Sequence, residues 1–473
     1  MGQGTTGAMA RGIKHRVVGI STSAVVAVVL AAISFVAGIE YALVAVIGVA
    51  ATFLIFRYPL LGVYGLIVLL PFNGIVSQIA EGSSLPTIYG AAKDVILLCL
   101  LLVALISGGF ARVPGVLLAL VVSCVGLALV AGIYTDDFLV ASYGWRNDYE
   151  PLLLLIIIPA VVRAHHLPRI LLALVIAAQA TAVIALATWL RGVEWIYTLG
   201  RLPVSTPEEF PTSLFSSGND WPRAFSPYVA PNEMAVVMAV MLAVIWLTPG
   251  RRWTVNAALS VLPLVAIYLS ASRSGIIGAV VVLCVLAARG ISKKSPLLSV
   301  FFLLIASFGV VAGAGLYITN RLDDAGDPSI GGHSASMAEG IAMLAEHPLG
   351  IGLGLVGPRT VDIPGSYQVE SFWLLIALES GLIVLGLFVM LLGVLAVRSI
   401  ASRTALGFIG AAAIAASLVS QLVLPTFQEG AVSFAVWLVV GLSVVAQQAA
   451  KHGEIVPAES DAEKADGLLP ASV

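Results

Sequence analysis

The sequence predicts an all-α fold, a polytopic bundle of about twelve to fourteen transmembrane helices, and three observations carry that expectation. Of 473 residues, 59% are hydrophobic and only 11% charged, with a mean hydropathy of +1.03. No ordinary soluble globule has that composition. Apolar runs recur at the length of about 17 to 25 residues that crosses a bilayer as helix. The runs are continuous rather than alternating, which selects helices over barrel strands, the only two forms that satisfy the backbone in lipid.

The runs lie near 17–38, 41–56, 58–80, 93–109, 113–134, 148–164, 169–190, 232–248, 254–271, 273–288, 297–316, 371–397, 404–424 and 431–447. The first follows a basic start, residues 1–16 with Arg11, Lys14 and Arg16. No small-residue cleavage site precedes a soluble domain, so it reads as a retained span or uncleaved signal anchor. Arg57 separates the second run from the third. Lys93-Asp94 opens the fourth, and Arg112 lies between the fourth and fifth. Arg163, His165, His166 and Arg169 join the sixth to the seventh. Arg251 and Arg252 precede the ninth, and Arg273 opens the tenth. Arg289, Lys293 and Lys294 lead into the eleventh, and Arg398 and Arg403 join the twelfth to the thirteenth.

With the basic start inside, these alternate connections, Lys451 and Lys464 place 16 of the 24 basic residues on the cytoplasmic side. Of 26 acidic residues, 21 fall on or near the outer side and five in the tail, so the net charge of −2 hides a steep division. No nucleic-acid surface is implied. Cys99, Cys124 and Cys284 lie inside apolar runs and read as small core residues, not as a disulfide framework or thiolate metal site. The expected organisation is thus a cytoplasmic basic N-terminus, a transmembrane domain over 17–450, and a disordered cytoplasmic tail over 451–473.

Two outer loops exceed simple turns. Residues 191–231 hold six prolines (Pro203, Pro207, Pro211, Pro222, Pro227, Pro231) and read as a lid without regular helix. Residues 317–370 hold an amphipathic helix near 333–346, then His347-Pro348 and the glycine run Gly350-Ile351-Gly352-Leu353-Gly354. That run is no dinucleotide fingerprint, since no strand precedes it and the spacing is wrong.

Four segments bring cationic or titratable groups to the outer level: Arg146 before the sixth run, Arg223 in the first loop, Ser272-Arg273-Ser274 at a short hairpin, and His347. Guanidinium groups near apolar helix ends run against the outer-side depletion of basic residues, and they need anionic partners. At Arg273 a guanidinium, two serine hydroxyls and a helix start together suit a phosphate or diphosphate; snorkelling to headgroups is the plain alternative. Asp148 and Glu150 are available as salt-bridge partners for Arg146. His347 has an imidazole suited to accept a hydroxyl proton. Lys93-Asp94 reads either as an interfacial pair or as part of the site. Glu379 is an acid well inside a span, where acids are functional by default. The acidic pairs Asp136-Asp137 and Asp323-Asp324 read as solvated, and no metal or cofactor is expected.

Ser272-Arg273-Ser274-Gly275, Glu346-His347-Pro348-Leu349-Gly350-Ile351-Gly352-Leu353-Gly354 and Leu378-Glu379-Ser380-Gly381 resemble, in order and spacing, the O-antigen ligase family of bacterial envelope glycosyltransferases. Residues 223–235 and 144–150 are weaker matches. The chain departs from the family at Glu370-Ser371, where many relatives carry His-Asn, and at His333, near which relatives often carry arginine.

The resemblance implies transfer of a glycan from a polyprenyl-diphosphate carrier to a sugar hydroxyl on a glycan or glycolipid acceptor, without metal, at the outer face of the cytoplasmic membrane. In that expectation Arg146, Arg223 and Arg273 hold the diphosphate with Ser272, Ser274 and Lys93 beside them, His347 attends the attacking hydroxyl, and Glu379 orders the loop. Polymerase and ligase remain open, since both use the same donor. A transporter or flippase of lipid-linked glycan is the rival. It would place charges at the midplane and broken helices in paired halves, whereas the polar signals here gather at one face.

Overall fold

The computed structural model of the chain describes residues 39–79, 84–192, 195, 222–292, 328–360, 363–402, 404–422 and 424–453. The runs near 17–38 and 297–316, the N-terminus, most of the 191–231 loop and the tail beyond 453 lie outside these. The described chain is all helix apart from turns and one isolated bridge, Val356 with Tyr367. By its internal contacts it separates into Met1–Gly62 and Val63–Val473. The first unit, as described, holds helix α1 (Ile39–Arg57) and the start of α2 (Pro59–Leu69). The site belongs to the second.

After α2 come α3 (Asn73–Ile79), α4 (Leu85–Ile106), α5 (Gly115–Ala131), α6 (Phe138–Asp148), α7 (Leu154–Val161), α8 (Leu167–Arg191), α9 (Pro231–Leu247), α10 (Trp253–Leu269) and α11 (Arg273–Ser292). Then follow α12 (Pro328–Glu346), α13 (Phe372–Ile400), α14 (Ala405–Ser420) and α15 (Gly430–Lys451). Among the described residues, six helical stretches are long and apolar enough to cross a membrane: Pro59–Ser77, Leu85–Ile106, Gly115–Tyr134, Ala164–Arg191, Phe372–Ile400 and Gly430–Lys451. Shorter apolar helices stand beside them. This is a multi-pass bundle.

Several sequence boundaries need correction. The third run is not one rod: a short 3-10 turn over Leu70–Phe72, with Pro71 in it, divides it. The fourth begins at Leu85 with Pro86 in its first turn, so Lys93 lies two turns inside the helix rather than opening it. The sixth is a 3-10 turn over Glu150–Leu153 leading into α7, and α6 before it is a separate helix that periodicity did not reveal. The loop helix α12 starts five residues before the expected position. The twelfth run is broken inside α13 at Gly381, whose φ of 85° is closed to most side chains.

Helices α9 and α15 form the centre. Nearly every residue of α9 is buried, as is most of α15, matching sequences apolar on all sides. Helices α10, α11 and α14 pack on α9, and α7 and α14 pack on α15. Around Trp437 of α15, Phe372, Phe388 and Phe427 pack edge to face or tilted at centroid separations of 5.3 to 6.1 Å. Cys99 and Cys124 are buried and Cys284 is partly buried, all as free thiols.

Hydrogen bonds gather the remaining segments at one end. Thr135 Oγ1 donates to the Leu353 carbonyl at 2.9 Å. The Ala224 N–H donates to Leu269 O at 3.0 Å, and the Phe372 N–H to Gln421 O at 3.0 Å. At the opposite end Arg112 reaches the Ala160 carbonyl and Arg289 reaches Thr404 O at 3.1 Å. Arg163, Arg251, Arg252, Arg398 and Lys451 belong to that second end by helix direction.

Candidate functional site

Three groups of side chains meet at the end that carries the loops. The first lies where α10 turns into α11. Arg223 is half-buried; its Nε donates to Ser270 O at 2.7 Å and its Nη2 to Asn232 Oδ1 at 3.0 Å. Burial first, and then the nearby charge of Arg273, hold the Arg223 guanidinium below its ordinary value. Arg273 is exposed as the first residue of α11, so two guanidinium groups flank one helix start. Ser272 and Ser274 are buried. Their hydroxyls face each other at 3.0 Å, and Ser272 Oγ also accepts from the Gly275 N–H at 3.2 Å. Ser272 caps the helix that presents Arg273.

The second group is a charge-balanced quartet. Arg146 Nε donates to Asp94 Oδ2 at 2.6 Å, and Lys93 Nζ lies 3.3 Å from Asp94 Oδ1 and 3.7 Å from Glu150 Oε2. The ammonium also sits over the Phe434 ring, 4.3 Å from its centroid. Asp148 and Glu150 were the partners offered to Arg146 by proximity in sequence; the helical geometry gives it Asp94 instead. Residue 148 ends α6 facing the interior, 3% exposed.

The third group is the glycine loop itself. From His347 the chain turns back with Gly350 N donating to His347 O at 2.9 Å, and runs between α6 and the break in α13. Ile351 N donates to Leu378 O at 2.6 Å, and Leu382 N to Pro348 O at 3.0 Å, using backbone groups freed by the break at Gly381. Glu379 Oε1 accepts from the N–H of Gly354 at 2.8 Å and of Val356 at 3.4 Å. At Gly354 (φ 74°) a side chain would strike the Val140 carbonyl. His347 itself is exposed, and among the described residues its imidazole has no hydrogen bond or ion pair with Arg146, Arg223 or Arg273.

Sequence reasoning missed Arg359, Gln428 and Glu429. Arg359 forms a two-pronged ion pair with Glu429, with Nε to Oε1 at 2.9 Å. Its backbone N–H donates to Gln428 Oε1 at 3.3 Å, and Gln428 Nε2 donates to Val356 O at 3.0 Å. This lattice ties the loop to the start of α15. The available signal was an arginine just after the glycine run, with Gln428-Glu429 just before the last span.

A bundle of apolar helices carrying a glycine-jointed polar loop at one end is that of a multi-pass membrane protein. Residues 258–389 match the family model described as O-antigen ligase, and the chain carries that family's domain over this stretch. That match supports a likeness to membrane glycosyltransferases and ligases over this stretch. The match contains Arg273, His347, Arg359 and Glu379; Lys93, Arg146 and Arg223 lie outside it. No curated protein matches the chain.

Proposed function

We propose that the protein transfers a glycan from a polyprenyl-diphosphate carrier to a sugar hydroxyl at the outer face of the cytoplasmic membrane. The observation that carries this reading is the convergence of Arg223 and Arg273 on the start of α11. Two guanidinium groups beside one helix N-terminus, with Arg223 held by Ser270 O and Asn232 and the helix start capped by buried Ser272, make a preorganised site for a diphosphate. The acceptor hydroxyl oxygen attacks the anomeric carbon as the bond from that carbon to the diphosphate oxygen breaks. The diphosphate departs with its charge held by the arginines, and His347 takes the hydroxyl proton.

Lys93 and Arg146 contribute to the same end as a neutral quartet with Asp94 and Glu150. Within it each cation already faces a carboxylate, which gives the quartet a supporting part. A transporter would use a charged midplane; the loop lattice at one end favours transfer.

Purified protein in nanodiscs, given a polyprenyl-diphosphate glycan and an acceptor glycan, should release free polyprenyl diphosphate without nucleotide sugar, ATP or added divalent metal. Longer lipid-linked glycan identifies a polymerase, and transfer to a different acceptor a ligase. An absolute requirement for a nucleotide sugar would overturn the reading.

A further inference from the structure

The carboxyl groups of Asp148 and Glu379 meet inside the bundle, one from the end of α6 and one from the turn before the break in α13. Asp148 is 3% exposed and Glu379 is fully buried. Glu379 Oε1 is committed to the N–H groups of Gly354 and Val356. Its Oε2 and both oxygens of Asp148 are enclosed, with no donor hydrogen bond supplied to them. Of the neighbouring donors, the Gln428 amide also faces Asp148, and the Arg359 charge acts on it from a distance. Gln428 Nε2 serves Val356 O, and Arg359 serves Glu429. The Tyr149 hydroxyl bonds Ser380, whose own hydrogen goes to Ile376 O at 3.0 Å.

Ionised carboxylates accept hydrogen bonds and donate none. Two of them in contact away from water repel, and one such group takes up a proton. A protonated carboxyl donates one hydrogen bond, which joins the two carboxyl groups to each other. We propose that Asp148 and Glu379 share one proton, and that this acid pair is the positioning device that fixes the glycine loop, and with it His347, at the site.

The geometry gives each partner a separate task. Glu379 reads the loop backbone through Oε1 and reaches Asp148 through Oε2. Asp148 anchors that carboxyl group to α6, whose Gly144 lies so close to Gly354 that no side chain fits between them. Buried acids that share a proton in this way hold a fixed geometry with one negative charge instead of two, at a lower desolvation cost. What the loop then does rests on the transfer reading above. The existence of the pair does not.

Two measurements test the proposal. In the infrared spectrum of the purified protein, the carbonyl stretch of a protonated carboxyl group should be present at neutral pH. The wild-type intensity due to the pair should be lost in Asp148→Asn and in Glu379→Gln, read as a difference from wild type that leaves the buried Glu150 and Glu233 unchanged, because an amide hydrogen replaces the shared proton in each. A wild-type spectrum without the band, or a band unchanged in Asp148→Asn, would overturn the shared proton whatever the protein's activity.

For the positioning role, Asp148→Asn should keep transfer within about threefold of wild type, since its amide donates to the Glu379 carboxylate, whereas Asp148→Ala should lose at least about tenfold. Equal losses in the asparagine and alanine variants, or none in alanine, would overturn it. If the alanine variant does not accumulate, the asparagine variant and the infrared band decide.

Discussion

The carboxylate of Glu379 and the backbone N–H of Gly354 lie 2.8 Å apart, joining a helix interior to a loop 25 residues earlier in the chain. This bond explains why an acid sits within an apolar helix next to a break. The break at Gly381 frees carbonyl and N–H groups that the loop takes up, and the acid completes the set.

The closeness of Gly144 and Gly354 makes a first prediction. An alanine at either position places a methyl group against backbone, and at Gly354 it also strains a φ of 74°. Gly144→Ala and Gly354→Ala should each lower transfer by at least about tenfold, in line with the cost of misplacing a site by an ångström. Gly126→Ala in α5, where an added Cβ meets nothing within 4 Å, should be neutral. Assay of the three at matched membrane levels checks this.

Arg273 should not tolerate lysine. A planar fork that binds phosphate oxygens is not replaced by a point charge, so Arg273→Lys should fail nearly as badly as Arg273→Ala. Each should lose on the order of tenfold to a hundredfold in donor use. Normal donor use in the alanine variant removes the residue from the site.

His347→Ala should divide the kinetic parameters. Turnover should fall by about a hundredfold or more, as for loss of a proton-transfer group, while binding of the lipid-linked donor changes little because the arginines supply that attraction. A variant with unchanged turnover confines the histidine to a structural part.

Much of this fold was legible because lipid imposes a simple code. Run length located the spans, and a bias of basic residues indicated alternate connections that the structure gathers at one end. The code says nothing about short helices that cross nothing. Helix α6 reads as loop because Gly144, Arg146, Asn147 and Asp148 interrupt its apolar pattern, yet its Asp137 cap, accepting from the Leu139 N–H at 2.8 Å, starts it cleanly. The site divides the same way. Motifs placed Arg273, His347 and Glu379 on the page. Pairings between distant segments, such as Arg146 with Asp94 or Arg359 with Glu429, depend on helix packing and have no local trace.

The sidedness of the bundle can be tested at two exposed positions. In a background with Cys99, Cys124 and Cys284 replaced, Gln368→Cys in the loop should react in intact cells with an impermeant maleimide. Ser107→Cys, at the end that carries Arg112, should react only after the membrane is opened. The reverse pattern would invert the orientation.

The last prediction concerns Lys93. Its ammonium is enclosed by Asp94, Glu150 and the Phe434 ring inside a membrane-spanning helix, and Glu150 is 7% exposed. Removing one member of a buried ion pair strands the other, at a typical cost of about 3–5 kcal/mol, whereas removing both charges together can be nearly neutral. Lys93→Met and Glu150→Gln should therefore each depress the thermal midpoint and the membrane level of the protein. The double variant should recover much of the loss, a non-additivity expected of residues in direct contact. Strictly additive losses would mean that Lys93 and Glu150 act independently, and that the quartet's balance of charge is not what holds α4 against the turn before α7.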